Sequence, residues 1–183
     1  MKKLVFLFFT LSFSACQQGE NGSSSEIADT DITTPENWQR YEMGNYSIAA
    51  PDGWELDQSG RMNTTFILFA PYDSVESYFK ENVNLVTEDI SESGVSLDDY
   101  AQNAHDLLGQ YMEGLANFES RKEGENRIWF TYEGEQQTMK LYFNQMLTIQ
   151  DSVVHILTFT SNADTTENAR IAEEVIASFQ FSN

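Results

Sequence analysis

The sequence predicts an α+β domain, a twisted antiparallel sheet of six or more strands with helices over both faces. Three patterns predict it. Strand-length apolar or alternating segments, separated by turn residues, fill most of the chain after Asn37. Two other segments change to the 3.6-residue period of an amphipathic helix. Near the C-terminus, SVVHILTFTS puts Val153, Leu157 and Phe159 on one side and Val154 and Ile156 on the other. A strand that is apolar on both sides needs a layer against each.

In chain order, WQRYEM-GN-YSIAAP reads as a hairpin with Gly44 placed for a type II′ turn. Asp52-Gly53 is the next turn, and Trp54 is expected to pack across the sheet end. TTFILFAP (Thr64–Pro71) and NVNLVTE (Asn82–Glu88) follow as strands. Ser96-Leu97-Asp98-Asp99 resembles a capping box with Asp in place of Glu. From there Leu97, Tyr100, Ala101, Ala104, Leu107, Leu108 and Tyr111 form an apolar helical stripe that ends near Gly114. NFESRKE, RIWFTYEG, QQTMKLYFNQMLTIQ and SVVHILTFTS are four more strands. The last three are expected to form a meander turning at Gly134-Glu135 and Gln150-Asp151. A second helix is expected over Asp164 to Ser178, with Ala172, Val175, Ile176 and Phe179 inward. The order is β-β-β-β-α-β-β-β-β-α.

The chain begins with Lys2 and Lys3, then an apolar run from Leu4 to Phe13, then Ser14 and Ala15, the small residues that suit a signal peptidase. About ten apolar residues are half of the roughly 20 that a membrane-spanning helix needs. Phe13-Ser14-Ala15-Cys16 resembles a bacterial lipobox, with Phe13 where Leu is usual. The resemblance implies that Cys16, the single cysteine, becomes a diacylated and then acylated N-terminus. Two or more chains on one residue make a stable anchor where one would bind only marginally. Residues 1–15 are thus expected to be a lipoprotein signal peptide. Residues 16–37, rich in Gly, Ser, Thr, Asp and Glu, read as the lipidated cysteine and a disordered tether. Residues 38–181 read as a single globular domain with no internal repeat. Gln17 differs from the Asp that resembles an inner-membrane retention signal, so the outer membrane is favoured in a Gram-negative host.

The formal charge of −19 becomes −21 when Lys2 and Lys3 leave with the signal. Such a field repels phosphate backbones and anionic headgroups, which argues against nucleic acid and leaves the N-terminal lipid as the membrane attachment.

The element order, with Pro51-x-Gly53-Trp54, Asn82–Asn84 and Ser178-Phe179, resembles the PsbP-like superfamily, including its DcrB-type bacterial lipoproteins. The resemblance spans about Trp38 to Phe181. It implies a sheet between helices and binding to other proteins, with no shared catalytic residues to carry over.

The chain has no G-x-S-x-G, H-E-x-x-H, P-loop or G-x-G-x-x-G motif. His105 flanks the first helical stripe and His155 lies in the last long strand; each reads as a border or core histidine. Carboxylate pairs such as Asp98-Asp99 and Glu173-Glu174 read as solvated surface, and none fits an EF-hand. No metal or other cofactor is implied. The stretch Ala70–Lys80 admits two readings. Val75, Tyr78 and Phe79 tuck onto the sheet, or Tyr72, Tyr78 and Phe79 stand out as aromatic contacts for a partner.

These features point to a lipid-anchored envelope binding or accessory module that acts through a protein partner and is not an enzyme. The alternative is a carrier or chaperone for an apolar ligand or hydrophobic segment, with a pocket lined by Phe66, Phe69, Tyr142 and Phe143. An enzyme would need His105 or His155 clustered with two carboxylates.

Overall fold

The computed structural model describes residues 34–72, 79–162 and 166–182. Among the described residues, two antiparallel sheets and two α-helices make the fold. The first hairpin pairs β1 (Trp38–Met43) with β2 (Tyr46–Pro51), and Gly44 takes φ +68° at the first turn position, as a type II′ turn requires. The short β10 (Gln180–Phe181) adds to the other side of β2, so β1-β2-β10 is a three-stranded sheet of its own.

The main sheet has seven strands in the order β3-β4-β5-β9-β8-β7-β6. They are β3 (Glu55–Asp57), β4 (Phe66–Phe69), β5 (Asn82–Asp89), β6 (Glu113–Glu123), β7 (Arg127–Gln136), β8 (Met139–Gln150) and β9 (Val153–Ser161). β7-β8-β9 form the expected meander, and β5 pairs with its far side. The helix α1 (Leu97–Tyr111) carries the chain from β5 across one face to β6 at the sheet's edge.

Both faces are covered. On one face, Phe66, Leu68, Val83, Leu85, Trp129, Met146, Leu157 and Phe159 pack against Ile48 and Ala50 of β2 and against Ala172, Val175 and Ile176 of α2 (Glu167–Ala177). On the other, Ile128, Phe130, Tyr132, Leu141, Phe143 and Leu147 pack against Leu97 and Ala101 of α1. The Tyr100 hydroxyl donates to Glu88 at 2.6 Å, and burial, then that carboxylate, push its pKa well above the ordinary tyrosine value.

The capping signal at Ser96 has a local cause. The Ser96 hydroxyl accepts from the Asp99 backbone N–H at 3.1 Å and donates to the Asp99 carboxylate at 2.7 Å. The α2 helix starts the same way, with the Thr166 hydroxyl accepting from the Ala169 N–H. At its other end the buried Ser178 hydroxyl accepts from the Ala49 N–H at 2.8 Å and lies 3.0 Å from the Ala49 carbonyl, which ties helix to small sheet. Phe179 beside it is fully buried. The Ser-Phe pair therefore does structural work, as does Trp54, which packs in the first cluster.

Two expected turns move. The break expected at Gly134-Glu135 falls at Gln137-Thr138, where both residues have positive φ (+50° and +69°), as a type I′ turn requires. Gly134 instead lies inside β7, where an added Cβ would come within 2.6 Å of the Met112 sulfur. Its missing side chain makes room for Met112, so this glycine marks a close approach rather than a turn. The next turn is Asp151-Ser152, one residue later than expected, again with two positive φ values. The separate three-stranded sheet was also not anticipated, because β10 is only two residues long.

Candidate functional site

Among the described residues the exposed large apolar side chains are Met62, Tyr72, Tyr111 and Met139, and two of them, Met62 and Tyr72, lie by the β3–β4 edge. After β3 the chain makes one 3₁₀ turn, Arg61–Asn63, entered through Gly60 in the left-handed region (φ +74°). Met62 and Asn63 are left-handed too, at φ +54° and +60°. That conformation costs an L-residue with a Cβ about 1–2 kcal/mol. The loop is held by Asp57, whose carboxylate accepts from the Ser59 N–H at 2.8 Å and pairs with Arg61. Those bonds, Ser59's first, hold the Asp57 carboxyl below the usual carboxylate range. The Thr64 hydroxyl closes the loop by donating to the Arg61 carbonyl.

The loop displays Met62, which is 55% exposed. The Arg61 guanidinium lies 4.8 Å from the centre of the Phe69 ring, and the Lys80 ammonium lies 5.2 Å from the same ring. Lys80 also sits 5.7 Å from the Tyr72 ring and 2.6 Å from the Glu55 carboxylate. Tyr72 is 58% exposed. Arg61, Phe69, Lys80 and Tyr72 thus make a cluster of cations over aromatic rings, each cation also paired with a carboxylate, with exposed Met62 next to Arg61 on the loop. Arginine and aromatic side chains of this kind dominate protein-binding surfaces.

Of the residues singled out in the sequence, Tyr72 takes the exposed position. Phe79 is half-buried and packs against the second core cluster, so it follows the tucked reading. Cys16 and Tyr78 lie outside the described residues. The carrier pocket is corrected: Phe66 belongs to the cluster under α2 and Phe143 to the cluster under α1, so the sheet separates them and they cannot line one cavity with Phe69 and Tyr142.

A second polar cluster went unseen in the sequence. The Glu81 carboxylate, 5% exposed, accepts from the Ser161 hydroxyl, from the Thr166 hydroxyl at 2.8 Å and from the Asn168 amide at 2.6 Å. Its donors come from the end of β9 and the first turn of α2, where the helix dipole favours negative charge. These bonds clamp the start of α2 to the ends of β5 and β9. Only register and packing unite residues 80 positions apart, so no local motif announces it.

The two histidines stay apart. His155 is buried on the α2 side of the sheet, against Phe181 at 4.8 Å and Phe179 at 6.0 Å. Burial pushes its pKa below the ordinary value. His105 is a partly exposed residue of α1 whose ring lies 4.4 Å from that of Phe118. Among the described residues no three His, Cys, Asp or Glu side chains gather as a metal would need, and no helix is long and apolar enough to cross a membrane.

Neither a scan of family models nor a comparison with curated proteins gives a match. Solved structures do. The chain is similar to LpqN, described as involved in cell envelope biogenesis of Mycobacterium tuberculosis, with a TM-score of 0.57 at 12% identity over 80% of this chain and 91% of LpqN. It is also similar to cyanobacterial PsbP (CyanoP) from Synechocystis sp. PCC 6803, with a TM-score of 0.49 at 16% identity over 87% of this chain and 98% of that one. The likeness to LpqN shows a shared fold.

Proposed function

We propose that this chain is a lipid-anchored accessory module of the bacterial cell envelope, held by Cys16 and working by binding a protein partner without catalysing a reaction. The observation that carries this reading is the Met62–Arg61–Phe69–Lys80–Tyr72 patch. A left-handed, exposed methionine is a strained way to finish a loop, and strain of this kind persists where a side chain must be displayed. The lipobox-like Phe13–Cys16 supplies the address, and an outer-membrane position fits Gln17 after the cysteine. The PsbP-like marks at Pro51–Trp54 and Ser178-Phe179 support the same class, as structural residues of a binding fold. Envelope biogenesis, the setting named for LpqN, agrees with it.

The test is in-cell crosslinking of the natively lipidated protein, followed by affinity capture and mass spectrometry. One envelope protein should be recovered with the wild type and lost with unanchored Cys16→Ser. The surface variant is Met62→Gly with Tyr72→Ala. Glycine removes the left-handed strain at position 62, so this variant should fold at least as stably at that turn. Recovery of the partner should fall about tenfold, the equivalent of roughly 1.4 kcal/mol of binding. Undiminished recovery with the surface variant would remove the patch from the proposal.

A further inference from the structure

We propose that Met62 is a reversible oxidation site, at which a peroxide converts the thioether to a sulfoxide and so weakens the patch for its partner. The effect on binding rests on the preceding reading of the patch; the chemistry at the sulfur does not.

Exposure singles this residue out. Of the six methionines, Met1 lies outside the described residues. Met43 and Met146 are buried in the cluster under α2. Met112 is half-buried against the other cluster, with its sulfur in the room that Gly134 leaves. Met139 is 41% exposed and Met62 55%. Oxidation requires the sulfur to meet a peroxide from solvent, so its rate follows access. Cys16 is the single cysteine, so from Trp38 to Phe181 the peroxide finds no thiol to compete. Neither Met62 nor Met139 belongs to a core cluster, and a sulfoxide on either one displaces no packed side chain.

The backbone keeps the Met62 side chain turned out. Its φ of +54° follows Gly60 at +74°, and the loop is fastened on both sides of it. Asp57 holds the Ser59 N–H and Arg61, while the hydroxyl and the N–H of Thr64 both donate to the Arg61 carbonyl. Turning the Cβ inward would give up those bonds. Arg61, the preceding residue, carries the guanidinium that lies over Phe69. Oxidation therefore changes an apolar tip at the border of the contact surface into a dipolar acceptor, which a partner must desolvate to keep the same contact. Met139 is the internal control. It begins β8, three strands from β4 in the sheet order, and has no place in the patch.

The step balances with hydrogen peroxide or an alkyl hydroperoxide as the oxidant. A sulfur lone pair attacks one peroxide oxygen, the S–O bond forms as the O–O bond breaks, and water or an alcohol leaves with the proton. Sulfur gives up two electrons and the peroxide takes them. A reductase using a dithiol reverses the change: the oxygen leaves as water and the dithiol becomes a disulfide.

The experiment treats the full lipidated chain, in zwitterionic micelles, with hydrogen peroxide and follows sulfoxide at each methionine by peptide mass spectrometry. Met62 should react first and Met139 next, with Met43 and Met146 at least about tenfold slower. The unfolding midpoint should not move while Met62 alone has reacted. The partner identified by crosslinking is then captured from detergent-solubilised envelope with untreated, oxidised and reductase-treated protein. Oxidation should lower its recovery about fivefold, and methionine sulfoxide reductase should restore it. Met139→Leu should lose recovery on oxidation as the wild type does. Met62→Leu should fall no further than its own untreated level, and Met62→Gln, a polar stand-in for the sulfoxide, should bind as weakly as the oxidised wild type. Met62 reacting no faster than Met43 would overturn the site. Equal recovery before and after oxidation, or a loss that persists in Met62→Leu, would overturn its effect on binding and leave the patch in place. No partner with the untreated wild type would remove the preceding reading and that effect together.

Discussion

Leu85, Met146, Leu157 and Phe159 are fully buried under α2 and the three-stranded sheet, while Asn84, Gln145, Thr158 and Thr160, their neighbours on the same strands, are partly exposed on the opposite face. The difference lies in the cover. One face has a helix and a second sheet on it, clamped through Ser178 to Ala49 and through Glu81 to the start of α2. The other has a 15-residue helix that packs on β7 and β8. One face is therefore a closed core. The other is covered by α1 over β7 and β8, and Asn84, Gln145, Thr158 and Thr160 are partly exposed on it, although Ile67, opposite Asn84, is buried. The sheet acts as a partition between two separately packed clusters.

Truncating an aromatic ring on each side would measure this partition. Phe159→Ala, beneath α2, opens a cavity in a cluster closed on all sides and should cost about 4 kcal/mol. Phe143→Ala, at the rim of the α1 side where Tyr132 stacks on it at 4.8 Å, leaves a site that can collapse or hydrate and should cost about 2.5 kcal/mol. Urea unfolding of both variants reads the difference. Equal losses would mean that the two faces are equally closed.

A histidine on the closed face offers a gentler test. His155 is buried on the closed face, and its pKa is lowered by desolvation, opposed by its hydrogen bond with the Val153 carbonyl. A lowered pKa means that the unfolded chain binds the proton more readily, so stability rises with pH while that proton comes off. The contribution is complete above about pH 6.5, the unfolded value, and fades as pH falls toward the folded one. The wild-type melting temperature should therefore drop between pH 7.5 and 5, and His155→Leu should flatten that part of the curve. An unchanged slope in His155→Leu would show that other groups set the acid sensitivity.

Much of the closed face was legible in the sequence, because its signals are local. The alternation in SVVHILTFTS assigned both faces of β9, and Ser96 with Asp99 marked the start of α1. The partly exposed polar positions on the other face were not legible. Asn82-Val83-Asn84, Asn144-Gln145 and Leu157-Thr158 look alike until register decides which members meet, and a slip of one residue would exchange the faces. The Glu81 clamp was hidden for the same reason. Met62 escaped notice because a lone methionine in a polar loop carries no pattern; only its backbone angle and exposure set it apart.

The misplaced β7–β8 turn leads to the smallest effect. Gln137 and Thr138 hold a type I′ turn at φ +50° and +69°, and the branched Cβ of Thr138 is poorly suited to that region. Asn-Gly is the pair such turns favour. Substituting Gln137→Asn and Thr138→Gly should therefore raise stability by about 1 kcal/mol, less whatever flexibility glycine adds to the unfolded chain. Because the hairpin joins two interior strands that both faces share, the gain should appear equally in the wild-type, Phe159→Ala and Phe143→Ala backgrounds. A gain confined to one background would mean that the turn is coupled to one face's packing and that the sheet is a less rigid partition than its register implies.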